Sequence, residues 1–184
     1  MTKKKYVGHL LIANPNNPRD ELSKSVMLLV THTAQKAIGL QINNAVDNLN
    51  LKIIAEKLNI QYLSDDPLYH GGNIGTHQIH VVHSSDWKGV TTVQLTEDLS
   101  VTNDISVIAA LVQGEGPKYF RACAGYCAWG EGKLDQQLNP KYDGDPYKWE
   151  VVPATLSNVF ELEGTDQWRS AIDESAQYQV GSWF

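Results

Sequence analysis

Val26-Met27-Leu28-Leu29-Val30 is an unbroken apolar run bounded by Ser25 and by Thr31-His32. A run this short and this free of polar residues is a strand buried on both faces, so the rest of the chain must cover it from two sides. Ile38-Gly39-Leu40-Gln41-Ile42, closed by Asn43-Asn44, reads as its hairpin partner across Thr33 to Lys36. Leu51, Ile54, Ala55 and Leu58 recur at helical spacing behind Asn50, which predicts a helix over 51–58 with Asn50 as N-cap. Further strands are predicted over Val7 to Ala13, Gln78 to His83, Val90 to Thr96, Tyr119 to Trp129 and Trp149 to Val152. Further helices are predicted behind Asn103 as cap, over Lys133 to Leu138, and behind Thr165 with Trp168, Ala171 and Ile172 on one face. Hairpin-length connections coexist with helical crossovers, and no repeat or linker divides the 184 residues. The chain reads as one α+β domain, residues 1–184, with a mixed sheet flanked by helices.

A formal charge of −6 repels phosphate backbones and anionic lipid surfaces. Lys3-Lys4-Lys5 and Lys118-Tyr119-Phe120-Arg121 are local exceptions, but no helix gathers several basic residues on one face, which argues against direct nucleic-acid binding. Lys3 to Lys5 followed by Val7 to Ala13 superficially resembles a signal peptide. Gly8 and His9 interrupt that run, and Asn14-Pro15 stands in place of a small-residue cleavage site. No run approaches the ~18 apolar residues of a membrane span. Cys123 and Cys127 are too few for a disulfide framework, and their spacing fits neither a redox nor a zinc motif. On a strand they point to one face ~13 Å apart, too far to bridge, and on a helix they would lie one turn apart. A cytoplasmic protein with two buried thiols is the expectation.

His70, His77, His80 and His83 lie close together in the sequence. On a strand, however, His80 and His83 face opposite sides, and His77 and His83 share a face ~20 Å apart, so local geometry builds no metal site. No nucleophile elbow or phosphate loop is present, and no cofactor is expected.

The most distinctive stretch runs from Ala124 to Asp135, where Gly125, Gly130 and Gly132 flank Tyr126 and Trp129. Glycines for unusual dihedrals and aromatics for packing predict a sharp strand-to-helix corner. This segment resembles the signature of the AlgH/YqgE family of bacterial proteins. Three other blocks are similar to that family in the same order: Gly8 to Pro15, Val26 to His32 with Ala37 to Asn43, and Pro67 to Gly72 with His83 downstream. The chain departs from the family pattern at Asn73, Cys127-Ala128, Lys133 and Asp135, where the family has Pro, Ala-Gly, Gln and Glu. The resemblance implies an α+β fold whose mixed sheet is strongly curved, in a cytosolic bacterial protein. The family carries a transcriptional-regulator label, which implies a phenotype and not a reaction.

On this reading the chain is a non-enzymatic binding or regulatory module, and any effect on transcription is indirect, through a protein partner or a small ligand. Gly71, Gly72, His83, Tyr126, Trp129 and Asp135 are its candidate binding residues, since they fall in loops and corners where binding groups are presented. The alternative is an enzyme using His70 or His83 as acid or base, oriented by Asp135.

Overall fold

The computed structural model describes residues 6–181, so the Lys3-Lys4-Lys5 tip lies outside the described residues. The elements run β1 (His9–Ala13), β2 (Val26–His32), β3 (Ala37–Gln41), β4 (Ala45–Asn50), α1 (Leu51–Lys57), β5 (Pro67–His70), β6 (Ile74–Ser84), β7 (Val93–Gln94) and β8 (Leu99–Thr102). They continue α2 (Ser106–Gln113), β9 (Phe120–Trp129), α3 (Lys133–Leu138), β10 (Trp149–Pro153), α4 (Leu156–Phe160) and α5 (Gly164–Gly181). The sheet is ordered β10-β1-β2-β3-β9-β6-β8-β7, with β5 laid beside β9 and β4 beside β5. Every pairing is antiparallel except β5 with β9, and that one pair makes the sheet mixed.

The Val26–Val30 run lies where its composition requires. Leu10, Ile12, Val26 and Leu28 turn to one face and pack with Leu40, Val82, Val152 and Ala171 of α5. Leu11, Ala13, Met27 and Leu29 turn to the other and pack with Trp129, Leu134 of α3 and Trp149. Each such side chain contributes ~1.5–3 kcal/mol by leaving water, which is why these two strands need cover on both sides. Farther along the sheet a third cluster joins Leu51 and Ala55 of α1, Val107 and Ile108 of α2, and Val81 and Ala122.

β9 is where the sheet branches. β6 pairs along one side of it, while on the other side β3 pairs with Cys127 to Trp129 and β5 with Ala122 to Ala124. Where these partners change over, backbone lies directly on backbone. Gly71 donates its N–H to the Ala124 carbonyl at 2.8 Å and accepts from the Gln41 N–H at 2.9 Å. A Cβ on Gly72 would sit 2.1 Å from the Tyr126 carbonyl carbon, and one on Gly125 would sit 2.4 Å from the Gly72 oxygen. Gly125 also has φ of +74°, the left-handed region that side chains disfavour.

That single left-handed residue corrects one expectation from the sequence. Cys123 lies in the core on the α5 side, whereas Cys127 and Trp129 pack on the opposite face. Unbroken alternation would put all three on one side; the kink at Gly125 inverts the parity. Both thiols are free, and burial pushes Cys123 up to about 12 and Cys127 up to about 11.

Other local expectations shift by a few residues. Asn50 caps α1 as predicted, accepting from the Ile53 N–H at 3.4 Å. At α2 the first-turn amide of Ser106 is met by Asp104 at 3.0 Å and not by Asn103. Thr165 lies inside α5, while Thr155 caps α4 through a reciprocal pair of bonds with Asn158. Of the strand predicted over Val90 to Thr96, only Val93–Gln94 pairs, with β8, a strand that the residue pattern did not signal.

Candidate functional site

The corner after β9 forms as expected. Gly130-Glu131-Gly132 ends the strand, and Gly132, at φ +65°, leads into α3. Trp129 then lies near Trp149 of β10, with ring centroids 6.1 Å apart at 87°. Both indoles donate to one acceptor, Oε1 of Gln137, at 2.9 Å from Trp129 and 2.7 Å from Trp149. The Gln137 amide nitrogen donates to Asp145 at 3.0 Å, and Asp145 accepts from Lys133 at 2.6 Å and from the Tyr147 N–H at 2.9 Å. Burial pushes the Asp145 carboxyl up, but its hydrogen bonds from Lys133, Gln137 and Tyr147 outweigh that and hold it at about 2. A network satisfied at this many points is rigid, because each group is held by another that is itself held.

Beside it opens a cleft of about 760 Å³, lined by Tyr6, His9, Leu138, Trp149, Val151 and Tyr178 among others. Part of its polar lining is engaged already, while Nδ1 of His9 is buried without a hydrogen-bond partner. Glu150 accepts from Asn14 at 3.0 Å and from Gln179 at 2.7 Å, and Lys148 donates to the Tyr142 carbonyl. His9 meets the Tyr6 ring edge-to-face at 5.6 Å, and the other face of the cluster is His32, stacked on Tyr6 at 5.9 Å. The histidine beside Asp135 is this His32, whose Nε2 lies 3.7 Å from the Asp135 carboxylate.

The predicted site residues divide into three places. Trp129 and Asp135 belong to the corner, and neither is among the residues that line the cleft beside it. Gly71, Gly72 and Tyr126 lie at the branch of the sheet, where Tyr126 packs edge-to-face on His80 at 5.9 Å. Gly72 and His70 also line a smaller cleft of about 230 Å³ with Glu21, Gln41, Asn73 and Cys127. His83 is paired with Phe120, ~30 Å along β9 from Trp129. It is fully buried, with Nδ1 2.8 Å from the Ser84 carbonyl, its ring edge-to-face with Trp87, and Nε2 without a hydrogen-bond partner. Burial pushes its pKa down, more than the Ser84 carbonyl and Asp86 push it up. Neither His70 nor His83 therefore meets Asp135 through a side-chain contact. Among the described residues, no three of His, Cys, Asp or Glu converge as a metal site, and no helix is long and apolar enough to cross a membrane.

Gln137 is the residue that sequence reasoning passed over. Its signal was a polar side chain on the same helical face as Leu134, between two tryptophans that each carry a donor needing an acceptor.

The profile of the AlgH-like family matches residues 10–178, which includes every element from the second residue of β1 to near the end of α5. The chain belongs to the AlgH-like family. Among its relatives, a UPF0301 protein of Methylococcus capsulatus is 32% identical over 167 residues, covering 90% of this chain and 88% of that one. A UPF0301 protein of Rhodospirillum rubrum is 30% identical, covering 90% and 84%. The solution structure of the AlgH protein from Pseudomonas aeruginosa superposes with a TM-score of 0.76 at 27% identity, covering 96% of this AlgH-like chain and 92% of that one. A crystal structure of a Corynebacterium diphtheriae protein has the same fold, with a TM-score of 0.71 at 20% identity over 93% and 87% of the two chains.

Proposed function

We propose that this AlgH-like protein is a cytoplasmic, non-enzymatic binding module of one domain, and that the cleft beside the Trp129–Gln137–Trp149 network is where it binds. The observation that carries this reading is the cleft itself. Its volume of about 760 Å³ falls within the ~300–1,000 Å³ of ligand sites, and aromatic walls with a few fixed polar groups are the lining such sites have. The wall is also stiff, since Gln137 ties Trp149 of β10 to the Trp129 corner. A role in transcription would then be indirect, with the cleft's ligand or partner as the signal, because a net charge of −6 disfavours the DNA backbone. The test is a fragment screen by amide chemical shifts on the full chain. Binders should move Trp149, Val151 and Tyr178; binders that gather only around Gly72 and His70, or nowhere, overturn the assignment.

The enzymatic alternative moves from His70 or His83 to His32, since His32 is the histidine that Asp135 approaches. Its mark would be a turnover lost in His32→Gln. A turnover unchanged by that substitution would dismiss it.

A further inference from the structure

The cleft exposes something besides side chains. Lys148, Trp149, Glu150 and Val151 all line it, although consecutive residues of an extended segment point alternately to opposite faces. Both faces of the segment border the cleft, as they do when a cleft lies along the free side of an edge strand. Among the described residues β10 ends the sheet and has β1 as its one neighbour strand.

The hydrogen bonds at either end of β1 and β10 fix which backbone groups face outward. The Ala154 N–H donates to the Gly8 carbonyl at 3.0 Å, and the Asn14 N–H donates to the Lys148 carbonyl at 3.1 Å. Between these ends the register is unbroken from His9 opposite Pro153 to Ala13 opposite Trp149. Even-numbered residues of β10 therefore turn their N–H and C=O groups toward β1, and Trp149 and Val151 turn theirs away from it. Farther on, the Pro153 carbonyl is closed off by the Asn158 amide at 3.0 Å. The main-chain groups that β1 leaves unpaired are thus those of Trp149 and Val151, and both residues line the cleft. The other free edges are not equivalent: β7 has two residues, and the pairing of β4 is interrupted between Ala45 and Asn50, with Asn48 at φ +61°.

We infer that the cleft receives an extended peptide segment of a partner protein, added to the sheet as a strand beside β10. This rests on the cleft being the binding site. The repeating donors and acceptors of a strand edge match only another extended main chain, which selects a polypeptide over a small molecule. Every second side chain of the added strand would enter the cleft against Tyr6, Leu138, Trp149 and Val151, so the segment carries apolar or aromatic residues at alternate positions. The side chains of Lys148 and Glu150 already hold hydrogen bonds within the chain, to the Tyr142 carbonyl and from Asn14 and Gln179.

The test uses the full chain and a displayed library of random dodecapeptides, with enriched sequences resynthesised with and without backbone N-methyl groups. Enriched peptides should alternate apolar residues and slow hydrogen exchange at the Trp149 and Val151 amides. N-methylation at alternate peptide positions should weaken binding by about tenfold or more, because it removes a main-chain donor and leaves the side chains. Val151→Pro removes an N–H that β1 does not use and should cause a loss of similar size, whereas Val151→Thr should bind within about threefold. The N-methyl series reports on the unaltered chain, so it decides the matter even if Val151→Pro misfolds. Enriched peptides that shift cleft residues but tolerate N-methylation would overturn strand addition and leave the cleft as a binding site. No enriched peptide, with fragments still binding the cleft, would overturn the inference alone. Failure of both peptides and fragments at the cleft would overturn the inference together with the function proposed above.

Discussion

Trp129 and Trp149, from strands at distant places in the sheet order, donate their indole N–H groups to the same oxygen of Gln137, at 2.9 and 2.7 Å. Gln137→Leu keeps most of the volume and removes that acceptor, leaving two buried donors unsatisfied. At ~1–3 kcal/mol for each orphaned group, the loss should be about 2–4 kcal/mol after partial relaxation. Urea unfolding measures it, and a loss below about 1 kcal/mol would mean that water replaces the amide.

The glycines differ sharply in what a methyl group would meet. Gly72→Ala drives a Cβ into the backbone of Tyr126 at 2.1 Å, where no side chain can swing aside. It should cost upward of ~3 kcal/mol, the severe end of overpacking. Gly130→Ala, with nothing within 4 Å, should be nearly neutral. Gly132→Ala has the same open space but φ +65°, and should cost ~1–2 kcal/mol. Thermal midpoints that fall most for Gly72→Ala, less for Gly132→Ala and least for Gly130→Ala check the argument.

Arg121 is a buried guanidinium that ties the C-terminal helices to the sheet. It donates to the carbonyls of Ile42 and Leu162 at 2.7 Å each, to Phe160 at 3.4 Å, and to the Gln167 side chain at 2.7 Å. Its guanidinium also lies 4.9 Å from the Tyr69 ring, and the Tyr69 hydroxyl donates to Glu163. Arg121→Lys keeps the charge but has too few donors, in the wrong geometry, to serve these acceptors. A loss of ~2–4 kcal/mol is expected, with faster amide exchange over α4 and the start of α5 than elsewhere.

Acid should destabilise the protein in two separate windows. His83 has a folded pKa pushed below its ordinary 6.5 by burial, and His80 is lowered by the same cause. Above pH 6.5 both states are neutral at these positions and nothing is lost; below it the unfolded chain takes up protons that the folded one resists. Stability therefore falls as pH drops from 6.5 toward the folded values, by at most ~1.4 kcal/mol per pH unit for each histidine. His83→Gln should remove one share of that slope in urea midpoints taken between pH 7 and 5. Asp145 works lower: its folded carboxyl is held at about 2 against 3.8, so its contribution is intact above 3.8 and disappears as pH falls through 2. An unchanged slope in the His83 variant would show that its protonation is not resisted by burial.

Much of this was legible in single segments. The Val26–Val30 run, its partner β3, the Asn50 cap on α1 and the corner leading into α3 follow from apolar periodicity, one side-chain oxygen and three glycines. Val90 to Thr96 misled because β-branched residues favour a strand only where a neighbour exists to pair with, and Val90 is instead 97% exposed. β5 escaped notice because its four residues begin at Pro67 and gain their place from parallel pairing with a strand more than fifty positions away.

By itself the sequence determined which segments could be strands or helices, that the Val26–Val30 strand must be covered on both faces, and which family the chain resembles. These are local or additive properties, carried by side-chain period, capping atoms and ordered motifs. Only the tertiary structure decided that Cys123 and Cys127 lie on opposite faces, that Asp135 approaches His32, and that Gln137 joins two tryptophans beside an open strand edge. The physical reason is that one left-handed glycine inverts every side chain after it, and that a buried hydrogen bond forms between groups brought together by the sheet order, which no segment of the chain encodes alone.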